Sequence, residues 1–216
     1  MAKRIKYFVK YISRTSSQKE KPISPSPTIL ILAAGSSSRL GQPKQLLHFR
    51  GKTLLENVVE TASAISDEVF VILGSHHEQI APIVSPTDAT VAYFADWQQG
   101  MGSTVSFGIQ QILNKDRYTK EVLILLCDQL HVTKQVLTEL IFFHQESDHL
   151  ITACGYDKSY GAPAIFNRKT FLDLLNLSGD QGAKKVIHKH FKNAQIISYP
   201  EAQVDIDTPK DLALLK

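Results

Sequence analysis

The sequence predicts an α/β fold in a single domain, a Rossmann-like three-layer α/β/α arrangement with a mostly parallel sheet of the nucleotidyltransferase type. Two observations carry this prediction. From residue 28 onwards, short runs rich in β-branched residues alternate with stretches of helical periodicity, the pattern of parallel strands joined by helices. A chain of 216 residues with 43% hydrophobic residues is also long enough to bury one substantial core.

The individual elements follow from the hydrophobic pattern. Apolar runs predict strands near 28–33, 68–74, 91–94, 121–128, 149–155, 160–166 and 195–199. Helical spacing predicts a helix that begins at a Thr53–Glu56 capping box, a last capped helix in DTPKDLALL, and further helices near 102–113, 134–145, 168–176 and 181–191. EVLILLCD at 121–128 is the most apolar run, and we therefore expect it to be the central strand.

Residues 1–27 differ in composition from the rest of the chain. They contain seven basic residues and one acidic residue in a stretch rich in Ser and Pro. We expect a flexible basic N-terminal segment here, followed by one domain over residues 28–216. The segment could contact a partner or an anionic surface, and a passive tail is the simpler interpretation. Because the remainder is mildly acidic, the net charge of +3 does not indicate nucleic acid binding.

The apolar segments and the cysteines bound the cellular context. No apolar stretch approaches the roughly twenty residues that cross a bilayer, so we expect a soluble protein without membrane contact. Cys127 and Cys154 both lie in strand-like apolar runs. This position favours two buried free thiols in a reducing compartment over a disulfide, and the cytoplasm is the expected location.

The loop after the first strand has the composition of a phosphate-binding loop. In LAAGSSSRLGQPK at 32–44, small residues keep backbone N–H groups accessible, and Gly35 and Gly41 can adopt positive φ. Arg39 and Lys44 add two cations suited to phosphate oxygens. The spacing fits neither a Walker loop nor the Rossmann glycine pattern. The predicted ligand is a polyphosphate, and the alternative is a Ser-rich turn with two solvated cations.

Carboxylates occur at two further predicted strand ends. Asp128 ends the most apolar run, and Asp205 and Asp207 occur together in VDIDTPKDL. A carboxylate at the end of a buried strand is costly unless it is paired or binds a metal, although helix capping remains an alternative for Asp207. Near a phosphate loop, these acids predict a hydrated Mg²⁺ that bridges carboxylates and phosphates. Such a site supports phosphoryl or nucleotidyl transfer.

These motifs together resemble the molybdenum cofactor cytidylyltransferase branch of the MobA-like nucleotidyltransferases. LAAGSSSRLGQPKQLL is similar to the opening signature of that family. The later blocks follow in the family order, namely GMGSTVSFG at 100–108, LLCDQ at 125–129, YGAPAIF at 160–166, GDQGA at 179–183 and DIDTPKDL at 205–212. The resemblance covers residues 28–216. It departs at Leu130, where the family usually has proline, and this leaves the turn after Asp128 open.

The resemblance implies a role for each motif. The residues expected to contact the nucleotide are Leu32, Ala33, Ala34, Gly35, Ser36, Arg39, Lys44, Gly74, Gly100, Met101, Gly102 and Ser103. The residues expected to act in catalysis are Arg39, Lys44 and Asp128, and those expected to hold Mg²⁺ are Asp128 and Asp207. The residues expected to shape the acceptor side are Gly161, Pro163, Gly179, Asp180 and Gly182.

The implied activity is Mg²⁺-dependent transfer of CMP from CTP to the terminal phosphate of a molybdopterin-type cofactor, with release of pyrophosphate. A molybdoenzyme or its chaperone is a further expected partner. Two alternatives remain, a nucleotidyltransferase for another phosphorylated acceptor such as a sugar or polyol phosphate, and a non-catalytic cofactor-delivery protein for a molybdoenzyme. The choice of CTP rests on Ala34, because the guanylyl branch typically reads LAGG and an added methyl group favours the smaller pyrimidine.

Overall fold

A computed structural model describes residues 26–157 and 159–215 of the chain. The predicted flexible basic segment at residues 1–27 lies outside the described residues, apart from its last two. Pro27 is buried, and its carbonyl accepts a hydrogen bond from the Ser66 hydroxyl at 2.9 Å. The described fold is therefore anchored from residue 27 onwards.

The described chain alternates strands and helices, as the sequence predicts. The strands are β1 (Thr28–Ala33), β2 (His48–Phe49), β3 (Lys52–Thr53), β4 (Val69–Leu73), β5 (Thr90–Tyr93), β6 (Glu121–Leu126), β7 (Ile151–Tyr156), β8 (Ser159–Asn167) and β9 (Ala194–Ser198). The α-helices are α1 (Leu54–Ser63), α2 (His77–Val84), α3 (Met101–Lys115), α4 (Lys134–Gln145), α5 (Phe171–Leu175) and α6 (Lys184–Lys189).

Seven of these strands form one sheet, in the order β5-β4-β1-β6-β8-β7-β9, and β2 and β3 form a separate hairpin. β1 pairs in parallel with both β4 and β6, whereas β8 runs antiparallel to β6 and β7. The predicted single-domain α/β fold with a mostly parallel sheet is confirmed. Because β8 is antiparallel to β6, the beginning of β8 lies at the sheet edge where β6 ends. This edge carries the candidate site.

The core lies on both faces of the sheet, because the side chains of β1 alternate between them. Ile29 and Ile31 pack on one face with α1 and α4, and Leu30 packs on the other face with α3. A Cβ atom at Gly108 of α3 would lie 2.7 Å from Leu30 Cδ1. The glycine therefore lets α3 approach the sheet closely.

Several predicted helices differ from the structure. The sequence predicts no element at α2, where Pro82 interrupts the helical pattern. Residues 168–176 contain a 3-10 turn before the short helix α5, and the helix predicted at 181–191 is limited to α6. The predicted last helix is a 3-10 segment, Pro209–Leu215. These segments are too short to sustain a regular α-helix on their own.

The two cysteines are buried and unpaired, as predicted. Burial raises the pKa of both thiols to about 12, so both stay protonated at neutral pH.

None of the helices in the described part of the chain has the length and apolar character that crossing a membrane requires.

The capping box at α1 gives a testable prediction about stability. The Thr53 hydroxyl accepts from the Glu56 N–H at 3.2 Å, and the Glu56 carboxylate accepts from the Thr53 N–H at 2.6 Å. Thr53→Ala should lower the free energy of unfolding by about 1–2 kcal/mol, measured by urea denaturation. Thr133→Ala is the matched control, because the Thr133 cap of α4 accepts at 3.4 Å. An equal loss in the two variants would contradict the capping-box assignment.

Candidate active site

The candidate site begins where β1 and β6 end side by side. The two strands pair in parallel with Leu32 opposite Leu126, so the loop after β1 and Asp128 after β6 emerge at the same edge. We call residues 34–44 the Ser-rich loop. The carboxyl ends of parallel strands are the usual place for ligands in this type of sheet.

Ser37 holds the Ser-rich loop in shape. Its carbonyl accepts from the N–H groups of Leu40 at 3.0 Å and Gly41 at 3.1 Å, and its hydroxyl accepts from the N–H of Lys44 at 3.1 Å. Gly41 has a φ of +78°, as predicted, but the other positive φ in the loop is at Ser37, +54°, and not at Gly35. The three hydrogen bonds stabilise this left-handed conformation at a residue that is not glycine.

The loop brings its two cations onto the two predicted metal carboxylates. Lys44 Nζ donates to Asp128 Oδ2 and, at 3.2 Å, to Asp207 Oδ1. Arg39 Nη1 donates to Asp207 Oδ2 at 2.6 Å. We call these four residues the charged cluster. Lys44 and Asp128 form its buried part, with side chains 17% and 8% exposed, whereas Arg39 is 75% exposed.

The electrostatics of the charged cluster favour its ionised form. Burial alone would lower the pKa of Lys44, but the negative charge of Asp128, with a further contribution from Asp207, raises it above the ordinary value. The pKa of the neighbouring Asp205 is also raised, first by burial and then by the charges of Asp128 and Asp207. Asp205 is thus the acid of this segment that is least favoured as a carboxylate.

Asp207 is free to join the cluster because another acid takes over helix capping. The Asp211 carboxylate accepts from the N–H groups of Asp207 at 3.1 Å and Thr208 at 2.7 Å. The capping alternative for Asp207 is therefore not what the structure shows. Upstream, the Leu130 N–H donates to the Val204 carbonyl at 3.1 Å, a bond that a proline at position 130 could not make.

A cleft of about 380 Å³ lies beside the charged cluster. Most of the residues expected to contact the nucleotide line it. They are Leu32, Ala33, Ala34, Gly35, Ser36, Arg39, Lys44, Gly100 and Met101, and Asp128 lines it too. Sequence reasoning missed several further lining residues, namely Gln45, Trp97, Gln98, Thr104, Leu126 and Cys127. Trp97 is the single tryptophan of the chain, and this rarity beside the GMGS block was the available signal.

Gly74, Gly102 and Ser103 do not line this cleft but support its wall. A Cβ atom at Gly74 would lie 2.6 Å from Trp97 Cβ and 2.8 Å from Ala34 Cβ. Gly74 therefore allows the Ser-rich loop and Trp97 to pack together. The Gly102 N–H donates to the Gly179 carbonyl at 2.7 Å, and the Ser103 hydroxyl accepts from the Gly179 N–H at 3.3 Å.

The GDQGA block meets the start of α3 instead of forming a separate acceptor pocket. Gly100 has a φ of +97°, and a Cβ atom there would lie 2.5 Å from Asp180 Oδ1. A Cβ atom at Gly182 would lie 2.8 Å from Met101 Sδ. Asp180 lines the same cleft as the Ser-rich loop. The structure thus brings part of the expected acceptor side and the expected nucleotide side into one wall.

The YGAP block reaches the site through Gln129. Gln129 Nε2 donates to the Ala162 carbonyl at 2.8 Å, between the two predicted acceptor residues Gly161 and Pro163. A Cβ atom at Gly161 would lie 3.5 Å from the hydroxyl oxygen of Tyr156. Neither Gly161 nor Pro163 lines the cleft. They lie beside the residue that follows Asp128.

The charged cluster fits a hard divalent cation. Asp128 Oδ1 is buried and has no hydrogen-bond partner among the described residues, and Asp207 presents a second carboxylate on the same lysine. Within residues 26–157 and 159–215, no group of three or more His, Cys, Asp or Glu side chains is placed to hold a metal. A cation here would therefore take its remaining ligands from water and from phosphate oxygens, as Mg²⁺ usually does.

The fold and this edge define a nucleotidyltransferase-type protein. The chain belongs to the family of the MobA-like NTP transferase domain, whose sequence profile matches residues 29–194. The predicted superfamily is thereby confirmed.

Three curated relatives illustrate the range of names in this family. The chain is 30% identical to nicotine blue oxidoreductase of Paenarthrobacter nicotinovorans, over 67% of this chain and 68% of the relative. It is 26% identical to the purine catabolism protein PucB of Bacillus subtilis, over 87% and 94%. It is 24% identical to a probable molybdenum cofactor guanylyltransferase of Geobacillus, over 77% and 85%. The cytidylyl branch is not singled out by these relatives.

Solved structures agree with the fold and include a metal complex. Rv0371c from Mycobacterium tuberculosis superposes with a TM-score of 0.72 at 27% identity, over 88% of this chain and 97% of that one. A complex of the same Mycobacterium protein with manganese superposes with a TM-score of 0.72 at 25% identity. A similar protein in this family therefore accepts a divalent metal.

The buried pair in the charged cluster gives a second prediction. Lys44→Met should lower the free energy of unfolding by about 3–5 kcal/mol at neutral pH, because it leaves the buried Asp128 carboxylate unpaired. The loss should shrink as pH falls, since protonation of Asp128 removes the unpaired charge. Adding Asp128→Asn to Lys44→Met should recover most of the stability. Urea denaturation of the three proteins measures this, and no recovery in the double variant would refute the pairing.

Proposed function

We propose that the protein transfers CMP from CTP to the terminal phosphate of a molybdopterin-type cofactor and releases pyrophosphate. One observation carries the reaction type, namely the convergence of two cations and two carboxylates beside the Ser-rich loop and the cleft. The acceptor class is supported by the relative named as a probable molybdenum cofactor guanylyltransferase. A protein that only carried the cofactor would not need these four charges in one cluster.

In this proposal, the acceptor phosphate attacks the α-phosphorus of CTP. A new P–O–P bond forms to the CMP group, the bond to the β-phosphate oxygen breaks, and pyrophosphate leaves. A phosphate monoester is largely ionised near neutral pH, since its second pKa is about 6. No general base is then required. The task of the protein is to position the two phosphates and to neutralise charge.

Each member of the charged cluster has a part in this scheme. Lys44 and Arg39 stabilise the negative charge that grows on the departing pyrophosphate. Asp128 and Asp207 hold Mg²⁺, which neutralises phosphate charge when it is bound. When the nucleotide binds, phosphate oxygens replace the carboxylates as partners of the two cations. The ion pairs of the free protein therefore keep the charges in place until the substrate arrives.

The preference for CTP is argued from the cleft wall beside Ala34. Ala34 is 5% exposed, and its carbonyl accepts from the Ser75 N–H at 3.0 Å. Its methyl group packs over Gly74 next to Trp97 and so adds to the wall on that side of the cleft. A fuller wall favours a pyrimidine over a purine, and one methyl group is typically worth about 1–3 kcal/mol of discrimination.

A third prediction separates the two acids of the C-terminal segment. Asp207→Asn should raise the Mg²⁺ concentration needed for half-maximal pyrophosphate release by about tenfold or more, because an amide is a poorer ligand for a hard cation. Asp205→Asn is the matched control and should leave the Mg²⁺ requirement unchanged. The measurement is a Mg²⁺ titration with saturating CTP and molybdenum cofactor. A larger effect in Asp205→Asn would move the metal ligand to Asp205.

A fourth prediction concerns the nucleotide. With molybdenum cofactor as acceptor, kcat/KM for CTP should exceed that for GTP, and Ala34→Gly should reduce the ratio by about tenfold by removing the methyl group. Pyrophosphate release with each of the four NTPs, with and without acceptor, is the assay. A CTP to GTP ratio at or below one would reject the cytidylyl proposal and leave nucleotidyl transfer standing. Release only with a sugar or polyol phosphate would favour the alternative acceptor.

A further inference from the structure

Two glutamines occupy equivalent positions on the two sides of the charged cluster. Gln45 follows Lys44 at the end of the Ser-rich loop, and Gln129 follows Asp128 at the end of β6. Each therefore comes directly after a charged residue of the cluster. Neither was singled out by the sequence pattern.

Gln45 ties together the two limbs of the Ser-rich loop. Its side chain is fully buried, and Nε2 donates to the Ala33 carbonyl at 2.8 Å and the Gly35 carbonyl at 3.0 Å. Both protons of the amide are thus used to fix the backbone that begins the loop. Gln45 also lines the cleft.

Gln129 does the same for the opposite side. Its Nε2 donates to the Ala162 carbonyl at 2.8 Å and the Ala202 carbonyl at 2.7 Å, with the Tyr156 hydroxyl oxygen at 3.4 Å. One amide thereby joins β6 to the YGAP block and to the segment that leads to Asp207. The backbone of Gln129 also forms a β-bridge to Asp205.

Each of the two amides leaves its oxygen without a partner. The Oε1 atoms of Gln45 and Gln129 are buried and accept no hydrogen bond within the described part of the chain. A buried amide oxygen without a donor costs about 1–3 kcal/mol. Folding alone would be better served by an arrangement that satisfies both ends, so this cost favours a role at the site.

We infer that Gln45 and Gln129 are positioning residues for the two substrates, Gln45 for the nucleotide and Gln129 for the phosphorylated acceptor. This inference rests on the proposed function, because it assigns the YGAP side to the acceptor. Gln45 holds the loop that carries Arg39 and Lys44 in its binding conformation. Gln129 holds the backbone around Gly161 and Pro163 against the residue next to Asp128.

The test is a double dissociation in steady-state kinetics. Gln45→Met keeps the size of the side chain and removes its hydrogen bonds, and it should raise KM for CTP by about tenfold with little change in KM for molybdenum cofactor. Gln129→Met should do the reverse. Gln195→Met is the matched control, because Gln195 Oε1 is also buried without a partner among the described residues. Gln195 lies on β9 opposite Thr152, towards the other edge of the sheet, so its variant should change neither KM.

Equal changes in both KM values in each variant, or the same changes in Gln195→Met, would overturn the inference. If Gln45→Met does not fold, Gln45→Asn keeps the amide on a shorter side chain and should raise KM for CTP alone, to a smaller extent. Calorimetric titration with CTP and Mg²⁺ distinguishes this failure from failure of the proposed function. If the wild-type protein releases no pyrophosphate but Gln45→Met binds CTP about tenfold more weakly and Gln129→Met binds it normally, the proposed function fails and the role of Gln45 stands.

Discussion

The ammonium group of Lys44, held between two carboxylates, is the interaction on which the candidate site depends. Asp128 comes from the central strand and Asp207 from the C-terminal segment, and Lys44 contacts both. An unpaired carboxylate as buried as Asp128 would be strongly unfavourable. The lysine therefore makes it possible to keep a metal-binding acid at the end of an apolar strand. The same contact fixes the distance between three segments that are remote in sequence.

Much of the fold follows from local patterns in the sequence. Runs such as TILILA in β1 and EVLILL in β6 can only be buried strands, and the register between them places Leu32 beside Leu126. This is enough to predict that the Ser-rich loop and Asp128 share an edge. The prediction that Arg39 and Lys44 lie near the two acids is confirmed as geometry, because parallel strands align their carboxyl ends. Their roles in binding and catalysis stay predictions.

The rest depends on long-range contacts that have no local signature. Nothing in DIDTPKDL shows that Asp211, and not Asp207, accepts from the backbone N–H groups of the turn. The burial of Gln45 is equally hidden, because a glutamine beside a lysine and a proline reads as a surface residue. Asp180 was placed on the acceptor side from its motif, yet its loop packs on Gly100. In each case the deciding partner lies in another element or several residues away.

The attachment of the C-terminal segment has a consequence for how the site comes into existence. Every strand of the described chain precedes Asp205, and the segment joins the edge through the Leu130–Val204 hydrogen bond and the Gln129–Asp205 bridge. Domains fold from the N-terminus during synthesis, so the sheet and the Lys44–Asp128 pair can form on the ribosome before Asp207 has been made. The emerging protein can thus complete its core while it still lacks the second carboxylate. Competence for metal binding is then acquired in the last step of folding, which couples the onset of chemistry to completion of the chain.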